Sequence, residues 1–398
     1  MGVTKLRKPR HAGLPARNPG VALDLDWLAE QRVNRSAAER RAQSLAGRRT
    51  VKKDWQAAWL LRALTCIDLT TLDGGDTSSN VARLCAKARR PLRSDLAAAL
   101  GAESLNVAAV CVYPLFVEEA CGALAGSGIP VASVAAGFPD GLTNFEQRLD
   151  EVRDAHAAGA QELDIVIRRQ WVLSADWSAL YQEVQAFRKA AGDCRLKVIL
   201  GTGNLGNLTN VSKASLVAMM AGADFIKTST GKEGVNATLP VTLVMLRAIR
   251  HFFDRTGSAV GFKAAGGIRK AKDALSYLML VHEELGTAWL CESRFRIGAS
   301  GLLGDLSRQL EHRTTARYSS DRRHPMGCWP LSRTFSSRWR TDQRQKTHRL
   351  LTPGLATTRP SLDTGLGGAG LRRDAISNRK TRRMVRFLQS SAKARQKI

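Results

Sequence analysis

The chain of 398 residues carries 61 Lys/Arg against 35 Asp/Glu, a net charge of +26, but this excess is concentrated at the ends. Residues 1–54 hold 13 basic and 5 acidic side chains, residues 327–398 hold 17 and 3, and residues 55–326 hold 31 and 27. The near-balanced middle excludes a nucleic-acid-binding surface spread over the whole chain, and its slight positive excess suits a small anionic substrate.

In chain order, residues 1–21 are rich in Pro, Gly and Arg and are read as a disordered basic N-terminus. Residues 22–60, with Leu23, Leu25, Trp27 and Leu28 and then Trp55 to Leu61, predict a helical extension packed on the main domain. Within 61–326, eight short apolar or β-branched runs recur: Thr65–Leu69, Val107–Val112, Val131–Val134, Leu163–Ile167, Leu196–Leu200, Phe225–Thr228, Val260–Lys263 and Phe295–Gly298. Segments of helical period separate them, among them 144–157, 179–190, 213–220, 239–252 and 272–285. Eightfold strand–helix alternation over this length is the pattern of an α/β protein of the (β/α)8 TIM-barrel type. The rival doubly wound sheet wants a Gly-rich turn after its first strand, where this chain has Thr70-Thr71-Leu72-Asp73. Residues 327–398 lose the apolar period and are read as a basic, low-complexity, disordered tail.

Seven cysteines stand without a CxxC pair, which argues against a disulfide framework and for a reducing, cytoplasmic setting. No run approaches the ~18 apolar residues of a membrane helix, and Met1–Leu6 lacks the apolar core of a secretory signal.

Barrel active sites lie at the C-terminal ends of the strands. The predicted strands bring Asp68, Cys111, Asp164, Lys197, Lys227 and Lys263 there, with Gly298-Ala299-Ser300 after the eighth. Charged groups inside apolar strands need a partner or a task. Three lysines converging with two aspartates suit imine chemistry. A lysine attacks a carbonyl only when neutral, and burial beside a second ammonium favours that form. Lys227 and Lys263, on the adjacent sixth and seventh strands, are the candidate pair, with Asp164 moving protons through a water. Glycines at Gly231, Gly266, Gly267, Gly298 and Gly301, together with Lys232 and Ser300, fall in the loops after strands six to eight, where this fold holds phosphate. The seven histidines do not fall at strand ends in ligand spacing, so no metal site is expected.

These residues give the chain a family likeness. Phe225-Ile226-Lys227-Thr228-Ser229-Thr230-Gly231-Lys232, Gly261-Phe262-Lys263 with Ala265-Gly266-Gly267-Ile268-Arg269, and Phe295-Arg296-Ile297-Gly298-Ala299-Ser300 resemble the deoxyribose-phosphate aldolases, in particular their longer animal-type branch. Ile67–Leu72, Val110–Pro114 and Val131–Pro139 support the resemblance, which runs from about residue 22 to 326. It implies reversible, cofactor-free cleavage of 2-deoxy-D-ribose 5-phosphate to D-glyceraldehyde 3-phosphate and acetaldehyde, in deoxyribose phosphate catabolism. It also implies Lys227 as the Schiff-base lysine, Lys263 as the lysine perturbing it and Asp164 as the proton-relay carboxylate. Asp68 and Lys197 would be supporting polar groups, and Thr230, Gly231, Lys232, Gly266, Gly267 and Ser300 would form the phosphate and substrate shell. The chain departs from the family pattern at Ala264 (usually Pro), Arg168 (Asn), Asn204 (Glu) and Gly301 (a hydroxyl residue).

Two alternatives stay open at this stage. One is a degraded barrel that binds nucleic acid or acts as a scaffold through its basic ends. The other is a different Schiff-base or transaldolase-like enzyme. The basic tail allows non-specific nucleic-acid contact, no membrane partner is expected, and a homo-oligomer is left open. Tyr318 lies in a segment similar to the family's mobile C-terminal stretch.

Overall fold

A computed structural model of the protein describes residues 17–48 and 51–317; the expected tail at 327–398, Tyr318 and residues 1–16 lie outside the described residues. Eight parallel strands close into a barrel in sequence order: β1 (Ile67–Thr70), β2 (Ala109–Val112), β3 (Val131–Ala135), β4 (Glu162–Val166), β5 (Arg195–Ile199), β6 (Phe225–Lys227), β7 (Gly261–Ala265) and β8 (Phe295–Ala299). Closure is made where β8 pairs with β1, Ile67 against Ile297 and Asp68 against Gly298. The expected TIM barrel is the architecture found.

The period-two alternation of a strand sorts its side chains into two environments. On β4, Leu163 and Ile165 join the apolar layer beneath the helices, as do Leu196 and Val198 on β5 and Phe295 and Ile297 on β8. Their neighbours Glu162, Asp164, Lys197 and Arg296 are equally buried but lie on the other face, inside the barrel. So the charge sits where a barrel of this size usually packs aliphatic layers.

Helices begin where the sequence supplies caps. Asn144 accepts from the Glu146 N–H ahead of Phe145–Ala157, Asp176 from Ala179 ahead of Trp177–Ala190, and Thr238 from Val241 ahead of Leu239–Thr256. The last of these ends at Gly257 in the left-handed conformation.

Three helices precede β1: α1 (Leu25–Glu30), α2 (Arg35–Arg48) and α3 (Lys53–Thr65). On α1, buried Trp27 stacks on Phe252 at 6.1 Å between ring centroids, and the Arg255 guanidinium lies 4.3 Å from the Trp27 ring. On α2, Arg41 reaches Glu283 at 2.5 Å. The extension is thus fastened to the outer helices. Within the segment 1–21, read as disordered, residues 17–21 run against the barrel instead. The Asn18 amide N–H donates to Asp224 and its side chain donates to the Met219 and Ala223 carbonyls at 2.7 and 2.9 Å. Composition cannot reveal such anchoring, because it is made by partners some 200 residues away.

Candidate active site

The barrel interior contains one continuous network of buried charges. At its centre lies Asp164. Its Oδ1 accepts from Lys197 Nζ at 2.8 Å, and its Oδ2 accepts from both Lys227 Nζ and Lys263 Nζ at 2.7 Å. Lys263 also meets Asp68 at 2.6 Å, and Lys197 meets Glu162 at 2.7 Å. Arg296 closes the set, pairing with Asp68 and with Glu162, the latter at 2.7 Å. Every one of these groups is at most 3% exposed. Isolated charges would not survive such burial; here each has an opposite charge within contact distance.

Strand register accounts for the convergence. Asp164 pairs with Lys197 across β4–β5, and Lys227 with Lys263 across β6–β7. Lys263 in turn pairs with Arg296 across β7–β8. Four successive strands, β5 to β8, therefore each deliver a cation to the interior, flanked by the acidic strands β4 and β1.

The cations of the network are Arg296, Lys197, Lys263 and Lys227, and the anions are Glu162, Asp68 and Asp164. The cations outnumber the anions by one, and the three amines and one guanidinium do not share this imbalance equally. Burial lowers the Lys227 pKa, Asp164 opposes that, and the Lys263 charge lowers it further, leaving it below the ordinary lysine value. Burial acts on Lys263 too, but Asp164 and Asp68 overcome it and hold Lys263 above the lysine range. Lys197 is likewise raised, since Asp164 and Glu162 outweigh its burial. Burial works against the Asp164 anion, yet Lys197, Lys227 and Lys263 hold its carboxyl well below the usual range. Among the three lysines, Lys227 alone is biased toward the neutral amine. That is the state a nucleophile needs.

The remaining predicted residues fall around this centre. Cys111 faces a small apolar cluster with Leu72, Ala132 and Val134, bordered by Tyr113 and Phe138; burial pushes its thiol up, so it is no ready nucleophile. Thr230 is buried, with Gly231 and Lys232 exposed beside it, in the loop after β6. Gly266 and Gly267 follow β7 with φ of 81° and 82°, and exposed Ser300 follows β8 just before the helix Leu302–Thr315. A Cβ on Gly266 would lie 2.6 Å from the Asn236 side chain, so the β6 and β7 loops can meet only because this residue is glycine. Backbone turns and a helix N-terminus are features that can receive an anion.

The departures from the family pattern lie outside the charged centre. The Arg168 guanidinium sits 5.5 Å from the Trp171 ring, Asn204 is exposed, Ala264 packs in the outer apolar layer and Gly301 caps the last helix. Two members of the network, Glu162 and Arg296, were not among the expected site residues. Glu162 stands two residues before Asp164 and so shares its face, and Arg296 stands alone between Phe295 and Ile297; strand periodicity signals both. Histidine spacing in the sequence also hid one trio. His156, Asp193 and Cys194 bring donor atoms within 4.8 Å of one another, at the end of the barrel where β5 begins and so opposite the lysines.

The model of the DeoC/LacD family aldolases matches residues 62–303. The chain is 59% identical over 317 residues to the deoxyribose-phosphate aldolase of Homo sapiens, covering 79% of this chain and all of that one. It is 60% identical over 311 residues to the deoxyribose-phosphate aldolase of Mus musculus, covering 77% and 98%. Among solved structures, a deoxyribose-phosphate aldolase candidate from Coccidioides immitis superposes with a TM-score of 0.52 at 27% identity, covering 70% of this chain and 98% of that one. The match spans all eight strands and every lysine of the buried network, and the chain belongs to the DeoC/LacD family of aldolases.

Proposed function

We propose that this aldolase reversibly cleaves 2-deoxy-D-ribose 5-phosphate to D-glyceraldehyde 3-phosphate and acetaldehyde through a Schiff base on Lys227. The observation that carries the reading is the asymmetry of two lysines sharing one Asp164 oxygen, Lys227 lowered and Lys263 raised. Neutral Lys227 Nζ adds to the C1 aldehyde of the open-chain sugar, and loss of water gives the iminium. Removal of the C3 hydroxyl proton then breaks the C2–C3 bond. The electron pair moves into the iminium, the phosphorylated aldehyde leaves, and the remaining enamine is protonated at C2 and hydrolysed. Asp164, within reach of all three lysines, is placed to pass these protons through a water.

The phosphate would rest on the Gly266–Gly267 turn and at Ser300, with Lys232 adding charge. Asp68, Lys197, Glu162 and Arg296 hold Asp164 and Lys263 in place from below. A cytoplasmic role in deoxyribose phosphate breakdown fits the six free cysteines among the described residues, and no described helix is long and apolar enough to cross a membrane. The substrate assignment is tested by product analysis. Deoxyribose 5-phosphate should yield acetaldehyde and the triose phosphate at least ~100-fold faster than the chain processes a dihydroxyacetone donor; the reverse preference points to a transaldolase-like reaction.

Loss of the neighbouring cation gives a pH prediction. In Lys263→Met, one of the forces that lowers Lys227 is removed while Asp164 remains. The Lys227 pKa should rise, and the acidic limb of the kcat/KM profile should move about one unit or more toward high pH. An unmoved limb accompanied by a uniform loss of rate would assign Lys263 to packing.

A further inference from the structure

We propose that Glu233, in the loop after β6, is a specificity-determining residue that accepts a hydrogen bond from a hydroxyl next to the reacting aldehyde of the phosphorylated product, the C4 hydroxyl of the intact sugar. This rests on the aldolase reading above and names a contact that the lysine chemistry does not use. The Glu233 carboxylate is fixed at one oxygen only. Thr230 donates to Oε1 from its backbone N–H at 3.2 Å and from its hydroxyl at 3.1 Å. Oε2 is buried and receives no hydrogen bond from the described residues. Two further oxygens of the β5 and β6 loops share that state among the described residues, Asn236 Oδ1 and Thr202 Oγ1.

The two loops bearing these atoms, after β5 and after β6, abut each other and the turn after β7. A Cβ on Gly203 would come within 2.3 Å of the Val235 carbonyl, and one on Gly266 within 2.6 Å of Asn236. The Glu233 carboxylate also sits near Lys227 and Arg169, whose charges partly offset the burial that raises it.

A buried acceptor without a donor is costly, and the chemistry of the missing partner follows from the acceptors. A carboxylate and an amide oxygen repel phosphate and complement hydroxyl hydrogens. Phosphate is therefore directed to the Gly266–Gly267 and Ser300 rim, and the hydroxyl-bearing carbon to the notch between β5 and β6. Lys227 stands three residues before Thr230, which ties that notch to the reacting amine.

The test uses the synthetic direction with the full chain, acetaldehyde as donor, and two acceptors: D-glyceraldehyde 3-phosphate and 3-phosphopropanal, which lacks the hydroxyl. Glu233→Ala should lower the preference for the hydroxylated aldehyde by about 30-fold, with the hydroxyl-free one changing less than about 3-fold. Glu233→Gln, which keeps the shape of the side chain and one acceptor oxygen, should lower the preference by about 3-fold and keeps the test open should the alanine variant not fold. A preference unchanged in both variants, or equal losses on the two aldehydes, overturns the assignment. Borohydride trapping with acetaldehyde alone separates this from the underlying reading, since acetaldehyde has no hydroxyl. Absence of an adduct in the unsubstituted enzyme would reject Schiff-base chemistry, whereas an adduct in every variant with an unaltered preference rejects only the role of Glu233.

Discussion

Replacing Lys227 by leucine should lower kcat/KM for 2-deoxy-D-ribose 5-phosphate by about 10⁴-fold or more while leaving the fold intact. Covalent catalysis has no substitute once its nucleophile is gone, because no neighbour can take its place. Lys263 is held protonated by Asp164 and Asp68, and Lys197 by Asp164 and Glu162, so neither offers a lone pair. The substitution also removes the cation by which positive charge exceeds negative in the network. Stability should therefore change little, or rise, since one buried cation fewer leaves Asp164 still bound by Lys197 and Lys263. Circular dichroism and thermal melting beside the kinetic assay would check both halves. Residual activity within about 10-fold of the unsubstituted enzyme would move the nucleophile elsewhere.

Asp164→Asn is expected to do the opposite to stability and comparable damage to turnover. The carboxylate is the common partner of three ammonium groups, all buried. Neutralising it leaves these cations with too little opposing charge, and breaking buried pairs of this kind costs about 3–5 kcal/mol. Loss of a positioned proton carrier should cut kcat by about 10²–10⁴-fold. The pH dependence has a definite sign. The Asp164 pKa is depressed in the folded protein, so its stabilising contribution is present above the ordinary carboxylate range and is lost as pH falls through the lower folded value. The unsubstituted enzyme should thus lose its stability advantage over Asp164→Asn in acid. A variant with unchanged melting temperature at neutral pH would contradict the network description.

Much of this was legible in the sequence because barrels repeat. Eight runs with eight helical intervals admit few architectures, and a lysine or aspartate inside an apolar run stands out against its surroundings. Strand ends shift by at most two residues: β2 begins at Ala109 rather than Val107, and β7 extends to Ala265 beyond Lys263. Hydrogen-bond register decides such limits, and register depends on the neighbouring strand.

What escaped the sequence has the same cause. Arg296 escapes because an arginine reads as a surface residue until β8 is found beside Asp68 of β1, with Glu162 of β4 also in contact across the barrel interior. The pinning of Asn18 on Asp224 and the bare oxygen of Glu233 were hidden for the related reason that local pattern carries no information on distant partners. The direction of charge, by contrast, could be anticipated, because two lysines on adjacent strands cannot both remain charged beside one carboxylate without cost.

In the proposed reaction Lys227 Nζ, and no other amine, becomes covalently bound to the substrate. Incubation with 2-deoxy-D-ribose 5-phosphate and borohydride, followed by intact mass and peptide mapping, tests it directly. One reduced adduct per chain is expected, located on Lys227 and absent in Lys227→Leu. An adduct on Lys263 or Lys197, or none at all under turnover conditions, would contradict it.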